Sequence, residues 1–366
     1  MGPGARAHRV RRAQAGIRTD VTIAGAGMAG LAAAVRAREL GASPVVYEKG
    51  TRAGGSMLLS SCVIWRFREW EDFRAECPTG DERLQRVVWE QLDGAITWLE
   101  SLGAPVVAHE TGNPRTIGKR FDPRGLADVL VRAAGDVRLG ETTAEPTILA
   151  TGGFQGDATL VDEHIRPGGP LRLRANPWSA GDGLRYGLER GAGLSAGMDE
   201  FYGRNMPDAD FTEEQFVPLA QLYGRVARVF NKRGEEFFEG DVSWSENDLV
   251  QATARQPDAV AWYLLDKAAY ADASVKVKVA LAPTRVRRSD LPFEPPPGMH
   301  AGVRVKPGIT HTIGGLRIDE RARVQGVDGL FAAGADVGGI STGGYASGLA
   351  AALVFGRTAA ESALGR

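Results

Sequence analysis

Asp20-Val21-Thr22-Ile23-Ala24-Gly25-Ala26-Gly27-Met28-Ala29-Gly30 is the stretch whose reading decides the fold. A short apolar strand runs straight into Gly25, Gly27 and Gly30, spaced as GxGxxG, and a helical stretch follows to about Leu40. Gly41 ends that helix, and Pro44-Val45-Val46-Tyr47-Glu48 reads as a second buried strand. Strand, glycine turn, helix and strand make the start of a βαβ unit. The glycines permit a tight turn and a close approach of backbone to a pyrophosphate, whose charge rests on the helix N-terminus. Glu48 stands where a carboxylate would hold a ribose hydroxyl. On this reading Gly25, Ala26, Gly27, Met28, Ala29, Gly30 and Glu48 contact a dinucleotide.

Further strand ends carry the same character. Lys49 follows Glu48, and Gly54, Gly55, Ser56, Met57 and Ser61 lie in the loop beyond, where small residues let the backbone come close to a ligand. Thr147-Ile148-Leu149-Ala150 reads as another buried strand, closing on Thr151-Gly152-Gly153. Gly329-Leu330-Phe331-Ala332-Ala333-Gly334 ends a late one, and a final helix begins near Ser347-Gly348. Ligand-contacting loops gather at strand C-termini in an open α/β sheet. Glycine-rich ends scattered this widely imply one extended cofactor, FAD, touching many loops, among them Ala150, Thr151, Gly152 and Gly334. The N-terminus of the final helix, at Ser347, would favour negative charge on the flavin edge.

Between these loops, helical spacing runs from Asp81 to Leu102, and a second helix starts near Asp122-Pro123. From about Phe201 to Gly302 aromatics, prolines and charges mix without a nucleotide-type glycine loop. The fold class expected is α/β: a Rossmann-like FAD-binding domain with an inserted α+β capping domain. Residues 19–199 and 303–366 form the first and 200–302 the second. Residues 1–18 read as a disordered basic leader or an early start.

Composition narrows the function classes. A formal net charge of -1 gives no basic field for nucleic acid or an anionic membrane. No apolar run approaches a membrane span. The two cysteines, Cys62 and Cys77, form no CxxC or Cys/His cluster, so no metal site is expected. Thiols this few fit a reducing cytoplasm.

In this order the motifs resemble the flavoprotein family of fumarate reductase and succinate dehydrogenase, which includes tricarballylate dehydrogenase and 3-ketosteroid dehydrogenases. The matching segments are GAGMAG at 25–30, EKGTRAGGSM at 48–57, ATGGF at 150–154, AGDG at 180–183, NKRGEEF at 231–237, HTIGGLRID at 311–319 and GLFAAG with SGLAAALVFGR between 329 and 357. The resemblance implies FAD, a cap inserted before HTIGG, and hydride exchange between the flavin and a C–C bond beside a carbonyl. It also implies FAD contacts at Asp182, Asp336, Gly348 and Leu349. Covalent attachment in this family uses a His on the loop corresponding to 56–62, and none lies there, so the FAD expected is non-covalent.

Departures from the family bear on substrate. A proton-donor Arg would fall on or near Trp244, the Arg of the GxRF segment is Glu236, and Thr342-Gly343-Gly344-Tyr345 replace a carboxylate-clamping Arg. A dicarboxylate needs cationic, preferably bidentate partners, so fumarate and succinate are disfavoured. The substrate expected is a small carbonyl compound, ketone-type or bulkier, with an electron partner that motifs do not name. His311, matching a family residue that binds a substrate oxygen, would polarise the carbonyl, while Tyr345, and more weakly Tyr202, would donate a proton or hydrogen bond. The segment between Asp136 and Ile148 is shorter than in the family, at the adenosine end. Arg225 and Arg228 alternate with Val226 and Val229 on an expected strand. Two other functions stay open at this stage: a flavin oxidase or monooxygenase, and a non-catalytic FAD-binding relative.

Overall fold

A computed structural model describes residues 20–366, and the basic leader lies outside them. Its strands, in chain order, are β1 (Asp20–Ala24), β2 (Ser43–Glu48), β3 (Val63–Phe67), β4 (Val106–Ala108), β5 (Thr116–Phe121), β6 (Asp136–Leu139) and β7 (Ile148–Leu149). After these come β8 (Arg172–Leu173), β9 (Phe201–Pro207), β10 (Arg228–Phe230), β11 (Ala261–Asp266), β12 (Arg285–Val286), β13 (Met299–Thr312) and β14 (Phe331–Ala332). Five of them form a parallel sheet in the order β14-β7-β1-β2-β6, with Ile23 opposite Val46 on one side and Ile148 on the other. A parallel sheet needs both faces covered, and its central strands are accordingly apolar. Val21, Ile23, Val46, Ile148 and Leu149 are all at most 1% exposed.

Small residues explain how tightly one face is covered. The helix Met28–Glu39 carries Ala29, Ala32, Ala33, Ala34 and Ala37, all buried, and packs between the sheet and the last helix, Gly348–Ala363. A Cβ on Gly30 would lie 1.9 Å from the Gly25 carbonyl oxygen, and one on Gly356 would lie 2.4 Å from that of Ala29. Strand, turn and two helices therefore meet at backbone distance. The helices expected at 81–102 and near 122 are Glu82–Ser101 and Pro123–Ala134, capped by the Asp81 and Asp122 carboxylates, which accept from backbone N–H groups of their first turns.

A second sheet runs β10-β11-β13-β12, with β8 parallel and β9 antiparallel to the C-terminal half of β13. Its N-terminal half holds the cap core, where Tyr223, Leu249, Tyr263, Val303 and Val305 pack together. Strand β13 thus runs unbroken across the expected 302/303 boundary, from Val303 and Val305 in the cap core to Thr312, because β11 and then β9 pair with it in turn. We propose that the covering unit is this whole sheet. Arg225 is not on a strand: Gly224–Val226 is a single 3₁₀ turn, β10 begins at Arg228, and Arg228 is exposed and ion-paired with Glu236. The turn forms because the Glu246 carboxylate accepts from the Gly224 N–H at 3.1 Å and holds the backbone out of the ladder.

Candidate active site

The strand-end loops enclose a cavity of about 500 Å³. Gly27, Met28 and Ala29 at the first helix N-terminus line it, as do Glu48, Gly55, Ser56, Met57, Ser61, Ala150, Thr151, Gly152, Gly334, Ser347, Gly348 and Leu349. A smaller cavity of about 130 Å³ takes Gly25, Lys49 and Asp182, the last two ion-paired at 2.5 Å. Glu48, Thr151 and Asn176 line both, so the cavities abut along one trough. Glu141, Thr142, Thr143 and Pro146, from the short segment, wall its far end.

The walls fit a dinucleotide. Gly25, at φ 104°, passes so close beneath β7 that a Cβ would lie 2.1 Å from the Ala150 carbonyl oxygen. Only glycine adopts that conformation there without strain. Glu48, 6% exposed, accepts from the Ala26 N–H at 2.9 Å and the Gly50 N–H at 2.7 Å. Those bonds aim the carboxylate and leave lone pairs for hydroxyls. Gln155 Oε1 and Thr312 Oγ1 are buried on the larger cavity without partners among the described residues. Orphaned buried polar atoms are costly, and a polar ligand would satisfy these two.

Four of the expected contacts line neither cavity. Ala26 and Gly30 sit behind the turn, and Gly54 (φ 106°) donates to the Ala26 carbonyl at 2.7 Å. Asp336 is a strut: its carboxylate accepts from the Thr151 N–H at 2.5 Å, the Thr151 hydroxyl at 2.9 Å and the Gly153 N–H at 3.0 Å. Burial raises its pKa against the pull of those three donors. It ties the loop after β7 to the loop after β14.

The opposite end of the larger cavity is aromatic. On β9, Tyr202 and Arg204 face it while Phe201, Gly203 and Asn205 are buried behind, as strand alternation requires. The Tyr202 ring stacks on Tyr345 at 3.6 Å and 10°, and His311, paired with Tyr202 across the β13 register, lies 5.2 Å from it. Trp65 meets Tyr345 and Trp244 edge-on at 6.0 and 5.9 Å. The three expected catalytic residues are therefore brought together. Burial pushes His311 down to about 4, so the imidazole is neutral at physiological pH. A Cβ on Gly348 would lie 2.8 Å from His311 Cε1, which puts the ring against the positive end of the last helix, a second reason for neutrality. Burial, with Tyr202 adding to it, holds the Tyr345 phenol well above its ordinary value. Cys62 lines the cavity too, but burial pushes its thiol up to about 12, so it is not a nucleophile. Glu239 and Asp241 are exposed and away from the cavity.

Among the lining residues that sequence reasoning missed are Trp65, Gln155, Arg174, Arg204 and Thr310. Arg204 was within reach, being two residues from Tyr202 on a strand. Arg174 was not, because strand pairing alone brings it to the site.

A parallel sheet with a glycine turn, an extended trough at its strand ends and an aromatic, partly capped terminus defines a dinucleotide-binding oxidoreductase. A family model for an FAD binding domain matches residues 20–138 and 127–348, and the chain belongs to that family. It is an FAD-dependent oxidoreductase. Similar proteins include a probable fumarate reductase of Shewanella frigidimarina, 25% identical over 94% of this chain and 74% of the relative. An NADH:fumarate oxidoreductase of Klebsiella pneumoniae is 25% identical over 95% of this chain and 48% of its own length. The fold is shared with the open conformation of a flavocytochrome c3 fumarate reductase (TM-score 0.72, 22% identity, 95% of this chain and 78% of that one). It is also shared with 3-ketosteroid-Δ4-(5α)-dehydrogenase of Rhodococcus jostii (TM-score 0.69, 20% identity, 94% and 96%). Among the described residues no helix is long and apolar enough to cross a membrane.

Proposed function

We propose that this flavoprotein exchanges hydride at a C–C bond next to a carbonyl group. One observation carries the reading: the stacked Tyr202–Tyr345 pair and neutral His311 share a cavity with the glycine cradle. Bound non-covalently along Gly27–Ala29, Glu48, Gly55–Met57 and Thr151–Gly152, FAD supplies a two-electron centre for hydride uptake or release. His311, uncharged, offers an N–H to a substrate oxygen and places the positive end of the last helix behind it, so charge developing on that oxygen is stabilised. Tyr345 keeps its proton at physiological pH and can deliver it to, or recover it from, the carbon beside the carbonyl. The stack with Tyr202 fixes the ring, and Trp65, meeting Tyr345 edge-on, adds an apolar wall beside it.

The test is anaerobic. Purified protein, reduced under argon, is mixed with cyclic enones, steroid-like ketones and unsaturated acids while the yellow flavin absorbance is followed. Return of the colour with a saturated product supports the reading. Colour that returns only with air, giving stoichiometric peroxide, would make the chain an oxidase instead.

A further inference from the structure

We propose that Arg174 and Arg204 form a subsite for a carboxylate, so that the carbonyl compound this site handles is an acid with an apolar body. The proposal rests on the functional reading above and narrows its substrate. Arg174 is 9% exposed and lines the cavity. Its Nε donates to the Phe216 carbonyl and its Nη1 to Thr310 Oγ1, both at 3.0 Å, while Nη2 has no partner among the described residues. Arg204 donates through Nη1 to the Ser245 carbonyl and lies 4.9 Å over the Tyr202 ring, which leaves Nε and Nη2 free among the described residues. Neither arginine has a carboxylate within ion-pair distance among those residues, unlike Arg172 beside them, which pairs with Asp208 and Asp210.

Backbone geometry brings the two together. Gly308 of β13 sits between β8 and β9, opposite Arg204, and a Cβ there would lie 3.3 Å from Arg174 Cβ and 3.3 Å from the Arg204 carbonyl oxygen. The register then shifts between Ile309 and His311, and this bulge turns Thr310 toward Arg174. Charge balance points the same way. Glu48 is the only acidic side chain lining the cavity among the described residues, and its oxygens face the glycine turn. Burial brings the Arg174 guanidinium down to about 10, so it still carries its charge at physiological pH. A buried cation with free N–H groups and no acid is complementary to an anion, and the planar fork suits a carboxylate. Val217, Leu222 and Trp244, 41%, 46% and 38% exposed, line the remaining wall and require an apolar body.

The experiment titrates oxidised holoenzyme with benzoate, hexanoate and 3-phenylpropanoate, and with their methyl esters, reading perturbation of the flavin spectrum. Acids should bind at least ~30-fold more tightly than esters, and Arg174→Gln or Arg204→Gln should remove that preference, weakening acids far more than esters, while leaving flavin content unchanged. Arg204 is only half-buried, so its variant keeps the test alive should Arg174→Gln fold poorly. Equal binding of acid and ester, no saturable binding by any of the three acids, or a preference untouched by both variants would overturn the subsite. Arginine-dependent binding of acids in a protein whose reduced flavin no unsaturated acid reoxidises would uphold the subsite and sink the hydride reading. Reoxidation by cinnamate and its methyl ester at equal rates in all variants would do the reverse.

Discussion

Gly348 leaves room for His311, and the whole substrate end depends on that room. A side chain there would press within 2.8 Å of the imidazole. Gly348→Ala should therefore cost ~10–100-fold in kcat while the protein stays yellow, because only the ring is displaced. Loss of flavin in that variant would show that Gly348 serves the cofactor instead. His311 itself makes stability depend on pH. Its pKa falls from an ordinary 6.5 to about 4 on folding, so between those values the unfolded chain binds the extra proton. Stability is then full above pH 6.5 and declines as pH drops toward 4, by no more than about 3 kcal/mol. Urea unfolding at pH 7 and pH 5 should show a larger loss for the wild type than for His311→Asn. At this scale the sequence was readable where residues sit in one motif, as with Gly25 or His311. It was silent on Arg174, whose meaning comes from a bulge at Ile309–His311, in a strand far along the chain.

Among elements, the first and last helices carry the cradle, and their approach is set by Gly356 against the Ala29 carbonyl. Adding a methyl there separates two helices whose N-termini both line the cavity. Gly356→Ala should cost about 1–3 kcal/mol by overpacking and weaken FAD binding with it. Gly94 is the control: it lies on the exposed face of the helix Glu82–Ser101, and a Cβ there meets nothing. Gly94→Ala should raise stability by about 0.5–1 kcal/mol through helix propensity and leave flavin affinity alone. Thermal melts with flavin titrations check both. Elements with strong local signals, the βαβ start and the capped helices, were legible within a residue or two. The covering sheet was not, since its short strands β8, β10 and β12 owe their form to pairing with longer neighbours and carry little pattern of their own.

For the whole molecule, β13 decides how many pieces unfold. Its first half contributes Val303 and Val305 to the cap core, and its second half brings Thr310, His311 and Thr312 to the cavity. A chain divided into a cradle and a hinged lid would melt in two steps. A 14-residue strand common to both regions makes separate melting expensive, because unfolding the cap strips Thr312 and His311 from the site. The holoprotein should therefore show one calorimetric transition whose enthalpy equals its van't Hoff value. Removing the flavin should lower that single transition. Restoring free FAD to a hundredfold over its dissociation constant should recover about 2.7 kcal/mol, since FAD binds only the folded cradle. A second endotherm that does not move with FAD would mean that the cap folds independently and that β13 is a linker between two bodies.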